Sequence, residues 1–182
     1  MPGSHCSRQY SRADGEDPQW LFNVPGALAS TTLKREADIW HDLRHDNTVP
    51  VYGAPTSTDP PFMVSRYMRN GHTLKYLYTC PKENRVRLLY EVSMGMRHLH
   101  DERVVHGDLK GVNVLVDDSG HARISDFGLS SVINSATNKS QSKPAVGTLR
   151  FIAPEAIKTG NLTYATNVYA FARLIYEARI IS

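Results

Sequence analysis

The sequence predicts an α+β fold in two unequal parts, a small one with a helix and two strands and a larger, mostly helical one. Three observations predict it. Two short β-prone runs, Val49 to Tyr52 and Phe62 to Tyr67, follow a helix-period stretch nearer the N-terminus. A long amphipathic pattern then runs through Leu89, Val92, Met96 and Leu99. Beyond it, residues 112–116 and 121–125 read as a small hairpin joined by Asp117-Asp118-Ser119-Gly120.

Taken in order, residues 1–30 are polar, carry Gly and Pro, and hold no sustained period, so an irregular, poorly ordered segment is expected there. From Leu33 the pattern changes: Leu33, Ala37, Trp40 and then Leu43 or Arg44 recur at helical spacing, with Thr31 or Thr32 available as N-cap. The two strand candidates are separated by a Pro/Thr/Ser/Asp turn from Ala54 to Pro61. Asn70-Gly71 punctuates the chain, Thr73 to Tyr78 suits a short helix, and the long amphipathic helix ends near His100. Residues 129–146 are rich in Ser, Thr, Asn and Lys, as a mobile loop would be. Val168, Phe171, Ala172 and Ile175 mark a last helix, and no internal repeat is visible. The expected division is therefore 1–30 irregular, 31–68 a small unit and the connection after it, and 69–182 a large unit.

With 182 residues, 41% of them hydrophobic, the chain can bury a real core. A formal net charge of +3 and the lack of a dense Lys/Arg run give no reason to expect nucleic acid. Cys6 and Cys80 have no ligand-like neighbours in sequence, which fits ordinary packing in a reducing compartment. The N-terminus, with His5, Arg8, Arg12, Asp14, Glu16 and Asp17, has no apolar core for a signal peptide. The apolar run from Val168 to Ile180 is broken by Arg173, Glu177 and Arg179, so no membrane span is expected. An intracellular, cytoplasmic location is the expectation.

The chemistry concentrates in His106-Gly107-Asp108-Leu109-Lys110-Gly111-Val112-Asn113, followed by Asp126-Phe127-Gly128. Phosphoryl transfer from a nucleotide needs one carboxylate to orient the acceptor hydroxyl and further oxygen ligands to hold Mg²⁺ against the phosphates. Taken singly, Asp108 reads as a solvated loop aspartate, and Asn113 and Asp126 as turn residues at strand ends. As an ordered set they read as a catalytic constellation.

Together with Gly147-Thr148 and Ala153-Pro154-Glu155, these segments closely resemble the protein kinase family. The resemblance covers roughly residues 31–182 and is specific from Val104 to Glu155. It implies a two-lobe kinase-like fold with ATP and Mg²⁺ as cofactors and a protein Ser or Thr hydroxyl as acceptor. In that reading Asp108 accepts the hydroxyl proton or orients the hydroxyl, and Asn113 and Asp126 ligate Mg²⁺. Lys110 neutralises charge on the transferred group, which together with Thr148 marks the Ser/Thr subclass. Glu36 looks like the helix glutamate that pairs with a strand lysine over the phosphates; a plain surface glutamate is the alternative. Met63 to Met68 resembles the strand and hinge beside adenine. Ser65 would be the gatekeeper, the Met68 backbone would bond the base, and Leu115 would form the floor. His106 and Phe127 belong to packing in this reading. The wider pattern looks most like the tyrosine-kinase-like group, of a kind abundant in fungi.

Several positions depart from the family pattern. Upstream of Glu36 the only lysine is Lys34, and residues 34 and 36 of one helix point in different directions. Gly3, Gly15 and Gly26 are too scattered for a phosphate-covering loop. The small lobe is therefore expected to lack its first strands and the large lobe its later helices, leaving Glu155 without its arginine partner. Gly107 stands where an arginine usually clamps a phosphorylated activation segment, and Asn167 where an aspartate usually braces the catalytic loop. Ser130, Ser131, Ser135, Thr137, Ser140 and Ser142 are candidate phosphosites by expected accessibility. The leading expectation is a Ser/Thr protein kinase domain with poor activity in this chain. The alternatives are a catalytically silent kinase-like interaction module and a small-molecule phosphotransferase; residues 147–155 speak against the latter.

Overall fold

A computed structural model describes residues 19–23, 40–53, 62–126, 131–132 and 146–181. The chain forms two compact units, one of residues 1–44 and 50–67, the other of residues 45–49 and 68–182. The short piece 45–49 belongs to the larger unit.

In the smaller unit β1 (Gln19–Asn23), β2 (Val51–Gly53) and β3 (Phe62–Arg66) form an antiparallel sheet in the order β1-β3-β2. The register pairs Gln19 with Arg66 and Asn23 with Phe62, while β2 meets β3 at Val51 and Ser65 and slips at Gly53. Burial along β3 alternates, Met63 and Ser65 in and Val64 and Arg66 partly out, as a half-buried strand requires. The strand β1 corrects two expectations, that residues 1–30 are irregular and that no strand precedes the helix. Its apolar stretch, Trp20-Leu21-Phe22, is too short to display a period in sequence, and it becomes a strand only because β3 supplies the ladder partners. Of the helix expected from Leu33, residues 40–42 are described as helical, with Trp40 and Leu43 buried. Glu36 lies outside the described residues.

The larger unit begins its helices with α1 (Thr73–Thr79) and α2 (Arg85–Asp101). Asn84 caps α2 by accepting from the Arg87 N–H at 3.0 Å, and at its other end the Glu102 N–H donates to the His98 carbonyl at 3.0 Å. Leu88, Val92, Met96 and Leu99 are its buried apolar positions; Leu88 rather than Leu89 begins the stripe. Next come β4 (Val104–Val105), a 3₁₀ turn (Gly111–Asn113), β5 (Val114–Val116) and β6 (Ala122–Ile124). The β5–β6 hairpin is the expected one. Asp117 closes it, accepting from the N–H groups of Ser119 and His121 at 3.0 Å each and from Arg123 Nε at 2.9 Å. Burial alone would push the Asp117 carboxyl up, but the His121 N–H and the Arg123 guanidinium hold it below its ordinary value.

Residues 45–49 add to this hairpin. Val49 N–H donates to the Ile124 carbonyl at 2.9 Å and Ile124 N–H to the Asn47 carbonyl at 2.8 Å. Gly95 of α2 lies directly beneath, where a Cβ would come within 2.7 Å of the Asn47 carbonyl oxygen.

Within the stretch read as a mobile loop, β7 (Ser131–Val132) pairs antiparallel with β4. The other candidate phosphosites lie outside the described residues. A second 3₁₀ turn (Val146–Phe151) leads to α3 (Pro154–Thr159), with Pro at its first turn and Gly160 at φ +70° as its left-handed C-cap. The last helix, α4 (Tyr164–Ile180), starts in a capping box between Thr163 and Thr166. Its buried face is Thr166, Asn167, Ala170, Leu174 and Ala178, whereas Val168 and Ile175 are exposed. The apolar stripe read from sequence is therefore rotated, because the true inward face carries Asn167, which spends its polarity on hydrogen bonds. Among the described residues no helix is long and apolar enough to cross a membrane.

Candidate active site

The loop from His106 to Asn113 is set by what β4 and β5 leave between them, and His106 is its anchor. The imidazole is fully buried. Its Nδ1 accepts from the Asp108 N–H at 3.2 Å, so Nε2 carries the proton and donates to the Ser125 carbonyl at 2.9 Å. Burial pushes the His106 pKa down, against the opposing pull of the Ser125 carbonyl and of the Asp126 and Asp108 carboxylates. A neutral imidazole thus ties the loop carrying Asp108 to the residue before Asp126. Its role is packing and alignment, with both ring nitrogens already engaged.

Gly107 follows at φ +81°, a left-handed conformation that residues with a Cβ rarely adopt. Its N–H donates to Asn167 Oδ1 at 3.2 Å, and Asn167 Nδ2 lies 3.1 Å from His100 Nε2. The amide at residue 167 therefore does brace the loop. Burial lowers the pKa of His100, which keeps Nε2 available as the acceptor for that amide.

Asp108, Lys110 and Asn113 come together. Asp108 Oδ2 accepts from Lys110 Nζ at 2.6 Å and from Asn113 Nδ2 at 3.1 Å, and the same Nδ2 reaches the Asp108 carbonyl at 2.9 Å. One carboxylate oxygen is thereby fixed in place. The other, Oδ1, is buried and has no hydrogen-bond partner among the described residues. A buried acceptor left in this state costs free energy unless something else supplies the donor.

Asn113 is buried, and its carbonyl accepts from both the N–H and the hydroxyl of Ser125, at 2.8 and 2.9 Å. Since Val114 pairs with Ile124, Asn113 and Ser125 lie at the same end of the hairpin, and Asp126 is the next residue. Asp126 itself is exposed and sits at φ +63°, a conformation an aspartate tolerates better than most side chains. Two oxygen donors, the Asn113 amide oxygen and the Asp126 carboxylate, thus belong to adjoining chain segments. Among the described residues no three His, Cys, Asp or Glu side chains cluster for a metal. An amide plus a carboxylate instead fits Mg²⁺, a hard cation that keeps several waters, and the Asn113 amide nitrogen is already turned toward Asp108.

The expected nucleotide residues fall in both units. Met68 is fully buried, and its carbonyl accepts from the Gly71 N–H at 2.9 Å; the Gly71 carbonyl in turn accepts from Val116 N–H at 2.8 Å. This places Met68 on a turn tied to β5, the strand that carries the buried Leu115. Ser65 lies on β3 of the smaller unit, buried and with its hydroxyl unpartnered among the described residues. Gly147 and Thr148 fall in the second 3₁₀ turn, where only their backbone is described, and Phe127 and Gly128 lie outside the described residues.

Two residues around this loop were not singled out from sequence. Ser125 locks Asn113, and Glu177 of α4 reaches the Gly111 N–H at 3.1 Å. Ser125 has a faint signal as the residue before Asp126; Glu177 has none, being one acid within an apolar helix.

A loop that holds an aspartate between a lysine and an asparagine, locked to a following aspartate, is the arrangement of a phosphotransferase. The chain belongs to the protein kinase family: residues 26–181 match the family profile for protein tyrosine and serine/threonine kinases. It is 38% identical to the L-type lectin-domain containing receptor kinase V.5 of Arabidopsis thaliana over 97% of this chain and 27% of that protein. It is 36% identical to receptor kinase IV.3 of the same group and organism, over 74% of this chain and 21% of that protein. A mitogen-activated protein kinase kinase kinase of Pyricularia oryzae is 31% identical over 80% of this chain and 17% of its own length. The chain therefore spans about a quarter of the length of the Arabidopsis relatives. With the Arabidopsis proteins more similar than the Pyricularia one, the specifically fungal placement has no support.

Proposed function

We propose that this chain carries the catalytic half of a Ser/Thr protein kinase site, which uses ATP to phosphorylate a protein hydroxyl. One observation carries the reading: Asp108 has Oδ2 pinned by Lys110 and Asn113 while the buried Oδ1 is left as an acceptor. A substrate hydroxyl donating to Oδ1 would be oriented for attack, and its proton would have a place to go. Lys110, already poised beside that carboxylate, supplies positive charge where the transferred phosphoryl group gathers negative charge. Asn113 and Asp126 are the residues that would hold Mg²⁺, which when bound neutralises the nucleotide phosphates. Met68 and Leu115 are the candidate adenine contacts of the larger unit and Ser65 that of the smaller one, while Glu36 is the candidate to pair with a lysine over the phosphates.

The test is phosphate transfer from Mg²⁺-ATP to a generic Ser/Thr peptide by the purified chain, beside Asp108→Ala. The rate expected is low, since the only lysine before Glu36 in this chain is Lys34, and losing one preorganised electrostatic group commonly costs ~10²–10³ in rate. Transfer that disappears in Asp108→Ala supports the reading. Transfer that survives the substitution refutes the role of Asp108. A wild-type chain with no transfer at all favours the silent interaction module instead.

A further inference from the structure

Glu177 lies on α4, outside the loop that carries Asp108, yet its carboxylate reaches that loop. Oε2 accepts from the Gly111 N–H at 3.1 Å, and Oε1 accepts from Arg150 Nη2 at 2.6 Å. The Glu177 side chain is only 12% exposed, against 62% for Arg150. Arg173, one turn earlier on α4, donates its Nε to the Arg150 carbonyl at 3.0 Å. Residues 146–151 are thus held to α4 through Arg150 by side chain and backbone alike.

On the other arm, Gly111 directly follows Lys110, whose ammonium pairs with Asp108 and whose carbonyl accepts the Asn113 N–H at 2.9 Å. The absence of a side chain at residue 111 is what admits the carboxylate. A Cβ there would stand 2.7 Å from Glu177 Oε2 and would collide with the Leu74 side chain.

We propose that Glu177 is a positioning residue of the phosphotransfer site, its single carboxylate coupling the seat of Arg150 to the placement of Lys110 and Asn113. The inference rests on the function proposed above and adds a control point to it. A carboxylate covered to this degree depends on its cation. With Arg150 withdrawn, the carboxylate is drawn out toward water, the Gly111 N–H loses its acceptor, and the Lys110–Gly111 peptide is free to shift. Any partner or modification that moves residues 146–151 would then be felt at Lys110 without touching it.

The experiment pairs amide hydrogen exchange on the ¹⁵N-labelled chain with steady-state kinetics, in Arg150→Gln, Glu177→Gln and Glu177→Ala. Arg150 is exposed enough that its replacement leaves the fold intact. Arg150→Gln is expected to reduce protection of the Gly111 amide about 10-fold and kcat by a similar factor, with the KM for ATP within about 2-fold, since a misplacement near 1 Å costs up to ~10². Glu177→Gln, which keeps an acceptor oxygen, should retain more kcat than Glu177→Ala. Unchanged Gly111 protection in Arg150→Gln overturns the coupling, as does equal loss of kcat in the two Glu177 variants. If even the unaltered chain transfers no phosphate, the proposed function fails, while the exchange of Gly111 still decides the coupling.

Discussion

Replacing Gly95 by Ala sets two physical effects against each other, and the structure says which one wins. Gly95 is in the interior of α2, where helix propensity alone favours Ala by about 1 kcal/mol. The new Cβ, however, would lie 2.7 Å from the Asn47 carbonyl oxygen, 2.9 Å from Ile124 Cδ1 and 3.3 Å from Asn47 Cβ. Ordinary contact begins at 3.4 Å, so the Asn47 peptide must retreat by 3.4 − 2.7, about 0.7 Å. That peptide cannot retreat freely, because its oxygen accepts the Ile124 N–H at 2.8 Å and so fastens residues 45–49 to the hairpin. Overpacking of a core costs about 1–3 kcal/mol, and a weakened hydrogen bond adds about 0.5–1.5. Set against the propensity gain of about 1, the net effect is a loss of about 0.5–3.5 kcal/mol. For a chain of this size that lowers Tm by about 1–14 °C. Urea and thermal denaturation of Gly95→Ala measure it directly. Adding Ile124→Val removes the Cδ1 contact but leaves the carbonyl one, so it should restore little. A Gly95→Ala chain more stable than the parent would refute the packing argument and show that propensity governs this site.

Acid should destabilise the fold from an unusually high pH. His45, His100 and His106 all have pKa values below the ordinary 6.5, His106 and His100 through burial and His45 through burial and then the neighbouring His98 ring stacked at 4.9 Å. As pH falls below about 6.5, the unfolded chain takes up protons that the folded chain refuses, so stability drops with pH in that window; a urea midpoint that stays flat from about pH 7.5 to about 5.5 would contradict this. Gly107→Arg should cost about 1–2 kcal/mol, because φ is +81° there; a denaturation midpoint equal to the parent's would show that the loop relaxes freely. Glu91→Ala removes a largely buried carboxylate that accepts from the Ala122 N–H, His121 and Arg87 at 2.7, 2.9 and 2.9 Å. Hydrogen bonds to charged groups are worth about 1.5–3 kcal/mol, so a loss of at least that size is expected by urea titration, and a loss under about 0.5 would mean the three donors find other partners.

The sequence by itself determined the order of α2, the β5–β6 hairpin and α4, and it determined the family. Helix and hairpin are short-range structures: a period of apolar residues, a cap such as Asn84 and a turn such as Asp117 to Gly120 are read within one segment. The motif from His106 to Asn113 was legible for the same reason, since phosphoryl transfer needs particular residue types at close spacing along one loop. Only the tertiary structure decided what depends on partners distant in the chain. The strand β1 exists through pairing with β3, about forty residues on. The inward face of α4 is set by Asn167, whose polarity disguises it as a surface residue until Gly107 and His100 are seen beside it. Residues 45–49 join the larger unit because Gly95 lets a backbone lie close and Ile124 offers ladder bonds, neither of which local sequence displays. Above all, the asymmetry of Asp108, one oxygen pinned and the other buried without a partner among the described residues, follows from Lys110 and Asn113 meeting at a single carboxylate oxygen. A motif names the residues that meet, but hydrogen bonds between separate segments decide which of their atoms remain for chemistry.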